Sequence, residues 1–325
     1  MEIVTNILIP MFLIMLTGFL CIHFKILPQE TPHFLISFIF YVAAPALIFI
    51  GMATAPLSQI FHWDFIFATI ISIAICLFPW IFFIKKLYPK KSTGFAALIA
   101  YSVSLGNSAF IGLPILVLVA GSKGMILAVV SSVIVVSIFM PSVIYFINKS
   151  MNKNTEKVEY GVFKDTLKIF KNPIVLAGFL GILYSAINLP VPAVAKSYFT
   201  ILGSALAPVA LFALGAGIMW SNIKDYWKIL SVMSFFKMII CPAIAYLVAV
   251  LLHLSNLETF ALVLIAAVPS PKTAYILAEK YNFEPELMAG HIALTTVIGV
   301  VTIFGLILLA SHVDPSLFKA VAGAL

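Results

Sequence analysis

Two short polar interruptions stand inside otherwise apolar stretches: Gly106-Asn107-Ser108 in YSVSLGNSAFIGLPI, and Pro269-Ser270-Pro271-Lys272-Thr273 in AAVPSPKTAYILAEKY. Glycine and proline break helices, and a helix broken in an apolar medium frees backbone N–H and C=O groups that must find partners. The N–H groups where such a helix resumes, with the positive end of its dipole, attract anions. Lys272 adds a full charge at the start of the second half-helix. An ammonium at the centre of a bilayer costs about 2.5–3.5 kcal/mol on insertion scales, and a bound carboxylate would offset that cost. Asn107, Ser108, Ser270 and Thr273 supply amide and hydroxyl groups able to orient a carboxylate or hydroxyl, while Gly106, Ser108, Ala109 and Gly112 are small enough for two unwound segments to cross. The chemistry so described is recognition of a small organic anion. The plainer alternatives are ordinary kinks and a lysine that reaches water or backbone carbonyls. Lys237, deep in another apolar stretch, is a candidate second anion contact or a structural partner of a neighbouring helix. His253 and His291 fall near the ends of their stretches and are expected at the membrane interface.

The elements that must hold these residues follow from composition. Of 325 residues, 63% are hydrophobic and 10% are charged, with mean hydropathy +1.15, whereas soluble domains carry about a quarter charged residues. The bilayer is therefore the expected solvent. The net charge of +7 and pI near 9.2 come from lysines in short loops, which argues against nucleic acid as a partner; there is no arginine for a bidentate anion clamp. Cys21, Cys76 and Cys241 lie in apolar stretches without metal-type spacing, so neither a disulfide framework nor a metal site is expected. The first stretch lacks a basic leader region and a cleavage motif and reads as a retained helix. No Asp or Glu lies mid-stretch: Asp64, Glu258 and Glu279 are all near ends. The usual carboxylate of a proton or sodium site is missing, and the coupling ion stays open. No nucleotide loop, HExxH or Gly-x-Ser-x-Gly motif offers catalysis, and no cofactor is implied.

Apolar runs between polar breaks predict ten membrane spans, at 3–23, 33–52, 63–84, 94–120, 124–148, 172–189, 197–221, 226–253, 257–280 and 287–311. Residues 149–171 form a hydrophilic linker, expected to be cytoplasmic, between a first half (1–148) and a second (172–325). Five spans per half would insert the second half upside down relative to the first. With the N-terminus outside, fourteen lysines fall in inner loops, three (Lys123, Lys196 and Lys319) in outer segments, and two, Lys237 and Lys272, inside spans. Short cytoplasmic loops are enriched in lysine, so both termini are expected outside. At a shift of 163 residues Pro10 falls on Pro173, Gly18 on Gly181, Ala44-Pro45 on Ala207-Pro208, Phe49 on Phe212 and Pro79 on Pro242. The same shift lays Gly106-Asn107-Ser108 on Pro269-Ser270-Pro271, so two equivalent helices are interrupted at equivalent depth. Pro45 and Pro208, in AAPALIF and LAPVALF, read as kinks.

These motifs, with GNSAFIGLPI and VPSPKTAYILAEKYN, resemble the auxin efflux carrier family, whose bacterial members are described as malate, malonate or other dicarboxylate permeases. The resemblance runs through essentially the whole chain. It implies the fold shared with bile acid/sodium symporters and sodium/proton antiporters: an all-α membrane protein with spans 1, 2, 6 and 7 as a scaffold, expected to form a homodimer, and spans 3–5 and 8–10 as a moving domain. The family's crossover positions correspond to Asn107 and to Pro269–Thr273. Pro271-Lys272 stands where small or polar residues are more usual, which favours an anionic substrate. The expectation is a multi-pass carrier of the cell membrane that exposes the crossing of spans 4 and 9 to each side in turn. A membrane sensor with a carrier-like core is the other reading.

Overall fold

The computed structural model describes residues 9–151, 172–217 and 226–318, which are helical with no strand among them. In chain order the helices are α1 (Ile9–His23), α2 (Thr31–Thr54), α3 (Trp63–Leu87), α4 (Thr93–Ser104), α5 (Leu113–Ile134), α6 (Met140–Met151), α7 (Pro173–Ile187), α8 (Ala193–Ala216), α9 (Trp227–Leu251), α10 (Asn256–Ala267), α11 (Thr273–Tyr281) and α12 (Pro285–Val313). Six stretches are long and apolar enough to cross a bilayer: α2, α3, Thr93–Met151, α8, α9 and α12. Within Thr93–Met151 the chain turns at Gly121, whose φ of 57° suits a residue without Cβ, between the stretches expected as spans 4 and 5. Beyond its first three residues, the expected linker lies outside the described residues. Bulky apolar side chains such as Phe82, Val194 and Val301 lie on the outer surface, as lipid contact requires.

Proline writes a recurrent local feature. Wide π turns at Ile39–Ala43, Ser108–Gly112, Val135–Phe139 and Phe236–Ile240 each end two residues before a proline: Pro45, Pro114, Pro141 and Pro242. A proline has no N–H to donate and its ring pushes against the carbonyl four residues back, so the turn before it widens. Ser92 and Ser255, also 163 apart, cap α4 and α10 by accepting the N–H of Phe95 and Glu258.

Packing repeats at the same interval. α1 lies on Leu206–Ala216 of α8, and α7 lies on Ala44–Thr54 of α2. Gly18 abuts Phe212 O and Ala216 N, while Gly181 abuts Phe49 O and Ala53 N, each of these residues 163 from its counterpart. A Cβ at either glycine would strike backbone, so these helices approach more closely than any larger residue permits. One buried core cluster draws on α3, α4, α6, α9, α11 and α12, with Leu77, Leu98, Val143, Met233, Leu277 and Leu287 among its members. The other joins α1, α2, α7 and α8 to α5, α10 and the far parts of α9 and α12. Replacing Gly18 or Gly181 by Ala should each destabilise the protein by roughly 1–3 kcal/mol through overpacking. Gly305→Ala, with no atom near the added Cβ, should leave the melting temperature of purified protein unchanged or slightly raised.

Candidate substrate site at the crossing of two broken helices

α4 stops at Ser104 and α10 at Ala267, equivalent positions at the shift of 163, and each is followed by an extended residue, Leu105 (ψ 144°) and Val268 (ψ 150°). The two unwound segments cross here. Gly106 lies against the Ile265 carbonyl and Val268, leaving no space for a Cβ, and Gly299 of α12 likewise receives the ring of Pro269. The Asn107 N–H donates to the Pro269 carbonyl at 2.8 Å, tying one interruption to the other.

Five of the eight carbonyls in the last turns of the two first half-helices accept hydrogen bonds beyond the regular helix ladder. Tyr101 O and Leu264 O accept from the N–H groups of Leu105 (3.1 Å) and Val268 (2.9 Å). Ser102 O accepts from Ser270 Oγ (2.7 Å), Val103 O from Cys241 Sγ (3.5 Å) and Ala266 O from Lys237 Nζ (2.8 Å). Ser270 Oγ also lies 3.2 Å from His291 Nδ1, which is 2.8 Å from Ser102 Oγ, and Thr295 Oγ1 accepts the Ser270 N–H at 3.2 Å.

The resumed helices present the opposite state. Asn107 O accepts the N–H of Ile111 and Gly112, but the N–H groups of Ser108, Ala109, Phe110, Lys272 and Thr273 have no hydrogen-bond partner among the described residues. Nor do the side chains of Asn107, which is partly exposed, and Lys272, which is exposed. Lys272 Nζ lies 3.5 Å from where a Cβ would stand on Gly217, beside Pro32 at the start of α2. The carbonyl end of α8 lies beside that ammonium. Five free N–H groups, an amide and an ammonium thus stand at two helix starts joined by one hydrogen bond. Such an arrangement can bind an anion by charge-assisted hydrogen bonds. On the other side of Pro269, a narrow apolar cleft runs between Met11, Met15, Leu211 and Leu214 and Val300 of α12.

The other polar side chains nominated by sequence are engaged within the protein. Ser108 Oγ lies 3.1 Å from Ser132 Oγ, Thr273 Oγ1 2.7 Å from Tyr101 Oη, and Ser270 is held as described. Gly106, Pro269 and Pro271 are buried and shape the backbone. Lys237 is fully buried and reaches Ala266, which makes it a partner of a neighbouring helix. His291 corrects the expectation of an interfacial residue: it is 0% exposed. The first turns of α12 pack inward against α4, α9 and α11, so seven residues into the helix is already the depth of the crossing. Tyr101, Ser102, His291 and Thr295 are not singled out by sequence as site residues, and of these only Tyr101 and Ser102, polar residues just ahead of the break, carry a local signal.

Residues 3–307 match the model of a family described as membrane transport protein, Mem_trans. The chain belongs to this family of auxin efflux carrier-like transporters. It is 26% identical over 316 residues to the "Uncharacterized transporter MJ1031" of Methanocaldococcus jannaschii, covering 94% of this chain and 98% of that protein. It is 23% identical over 314 residues to the "Putative malonate transporter" of Rhizobium meliloti, covering 94% and 95%. The "Uncharacterized transporter YfdV" of Escherichia coli K12 is 25% identical over 301 residues, covering 91% and 94%. Membership of the Mem_trans family and the apolar helices together identify a multi-pass membrane protein that is a transporter. The geometry separates side chains bonded within the protein from side chains without partners among the described residues. Ser270→Ala, which strips partners from Ser102 O and His291, should cost about 1–3 kcal/mol of stability, whereas Asn107→Ala, which breaks no side-chain bond, should stay within about 0.5 kcal/mol; thermal melting of the purified variants checks both.

Proposed function

We propose that this chain is a secondary carrier that moves a small organic anion, recognised through a carboxylate, across the cell membrane by alternating access at the crossing. The observation that carries this reading is the open N–H side of the two interruptions: five backbone N–H groups and the Lys272 ammonium are left without partners among the described residues, whereas most of the carbonyls on the other side accept from protein donors. Lys272 and Asn107 are the side chains that take the carboxylate. Gly106 and Pro269 to Thr273 set the backbone around it.

The proposed architecture is ten spans in two inverted five-helix repeats. It is supported by the interval of 163 that relates the caps at Ser92 and Ser255, the helix ends at Ser104 and Ala267, and the contacts of Gly18 and Gly181. A buried core drawn only from spans 3–5 and 8–10 supports these as an elevator-like moving body, with spans 1, 2, 6 and 7 as its scaffold, dimeric through a second copy. The count of lysines supports both termini outside. Lys272 lies beside the start of α2 and the end of α8, the lysine-rich side by that count, which supports an inward-facing site in this conformation. A relative bearing the name of a malonate transporter makes dicarboxylates the first substrates to try.

Purified protein in liposomes, offered radiolabelled malonate, malate and monocarboxylates, should take up at least one of them saturably. Lys272→Ala and Asn107→Ala should each lower that uptake about tenfold or more, the loss of one charge-assisted hydrogen bond or better. Binding without flux would favour the sensor reading, and flux indifferent to both substitutions would remove the crossing from the mechanism.

A further inference from the structure

Among the described residues Lys237 is the one Lys, Asp or Glu that is fully buried, and no carboxylate there pairs with it. It stands on the π turn that precedes Pro242 in α9 and donates to Ala266 O, one residue before the end of α10. One turn further along α9, Cys241 Sγ reaches Val103 O, one residue before the end of α4. Val103 and Ala266 are equivalent at the shift of 163, so the negative ends of both half-helices converge on one face of α9 with an ammonium among them. The thiols of Cys76 and Cys241 and the imidazole of His291 are the titratable groups near it. Ser234, three residues before Lys237, and Ser104, at the end of α4, carry buried hydroxyls without partners.

In inverted-repeat carriers, the carbonyl ends of broken helices are where a coupling cation is held when one is used. We propose that the Lys237 ammonium is a resident cation in that place. Carried on the chain itself, it stands in for the sodium ion, so anion transport proceeds without sodium coupling. Removing the charge opens a site for a monovalent cation at the carbonyls of Ala266 and Val103, with the Ser234 and Ser104 hydroxyls available as further ligands. The transport half of this inference rests on the carrier reading above; the cation site does not.

The test compares melting of purified wild type, Lys237→Ala and Lys237→Gln in sodium chloride and in choline chloride at equal ionic strength. The Gln variant keeps an amide donor for Ala266 O and is the safer one to fold. The wild type should melt at the same temperature in both salts, and each variant should melt lower in choline and recover by about 2–4 °C in sodium. Variants indifferent to sodium, variants that sodium cannot rescue into folded protein, or a wild type that sodium stabilises would each overturn the proposal. Malonate uptake by wild-type liposomes, with and without a sodium gradient, provides the transport arm: equal rates support sodium independence and gradient-driven uptake refutes it. Absence of any uptake would count against the carrier reading alone, since the melting comparison needs no flux.

Discussion

A backbone N–H or C=O without a partner is expensive in hydrocarbon, and this constraint governs how both interruptions are built. Every helix end leaves orphan groups, but in water the solvent satisfies them. Here five carbonyls in the last turns of α4 and α10 accept from Leu105, Val268, Ser270, Cys241 and Lys237. These donors come from the chain itself and fix the crossing. The N–H groups that follow receive no such closure among the described residues, so the two sides of each break differ in what they leave free for a ligand. Lys272 adds charge on the open side, and Lys237 adds it on the closed side.

The prolines connect this chemistry to the sequence. Each π turn sits just ahead of a proline, and two of those turns carry site residues: Ser108–Gly112 holds free N–H groups, and Phe236–Ile240 aims Lys237 at Ala266. A third, Ile39–Ala43 of α2, sets Phe40 against Phe110 in a stacked pair with centroids 5.8 Å apart. The widened turn of the crossing segment therefore rests on the widened turn of its neighbour. Small residues do the rest, since Gly106 and Gly299 admit the opposing segment without a gap. Apolar contact between α1, α8 and α12 beside Pro269 offers a surface with few directional bonds to break, as relative movement of packed bodies requires.

Much of this is legible in the amino-acid sequence. Helix-breaking residues inside long apolar runs mark both interruptions, and a lysine next to Pro271 marks the charge. The interval of 163 recurs in the caps, the helix ends and the close glycine contacts, because each is a local feature written in residue type. The pairings across helices are not legible in the same way. Ser270 and Thr273 have the character of substrate ligands, yet they are held by Ser102, His291 and Tyr101, residues far away in sequence. No periodicity records which hydroxyl faces which carbonyl. His291 is misplaced by sequence for a related reason: its distance from the end of a stretch says little about depth when α11 is a short half-helix and the first turns of α12 begin inside the protein. Lys237 reads from sequence as buried, but its partner does not, because Ala266 contributes only a backbone carbonyl.

If the open N–H ends and Lys272 form the transport site, each side of the membrane must reach it in turn. The most direct measurement introduces a single cysteine beside the free N–H groups, Ala109→Cys, in a chain whose Cys21 and Cys76 are replaced by alanine and Cys241 by serine, and follows its reaction with a membrane-impermeant maleimide applied from either face of sealed vesicles. Labelling is predicted from both faces, with malonate or whichever acid is transported slowing it on each. Labelling confined to one face, and unchanged by every acid that the protein transports, would contradict alternating access at this crossing.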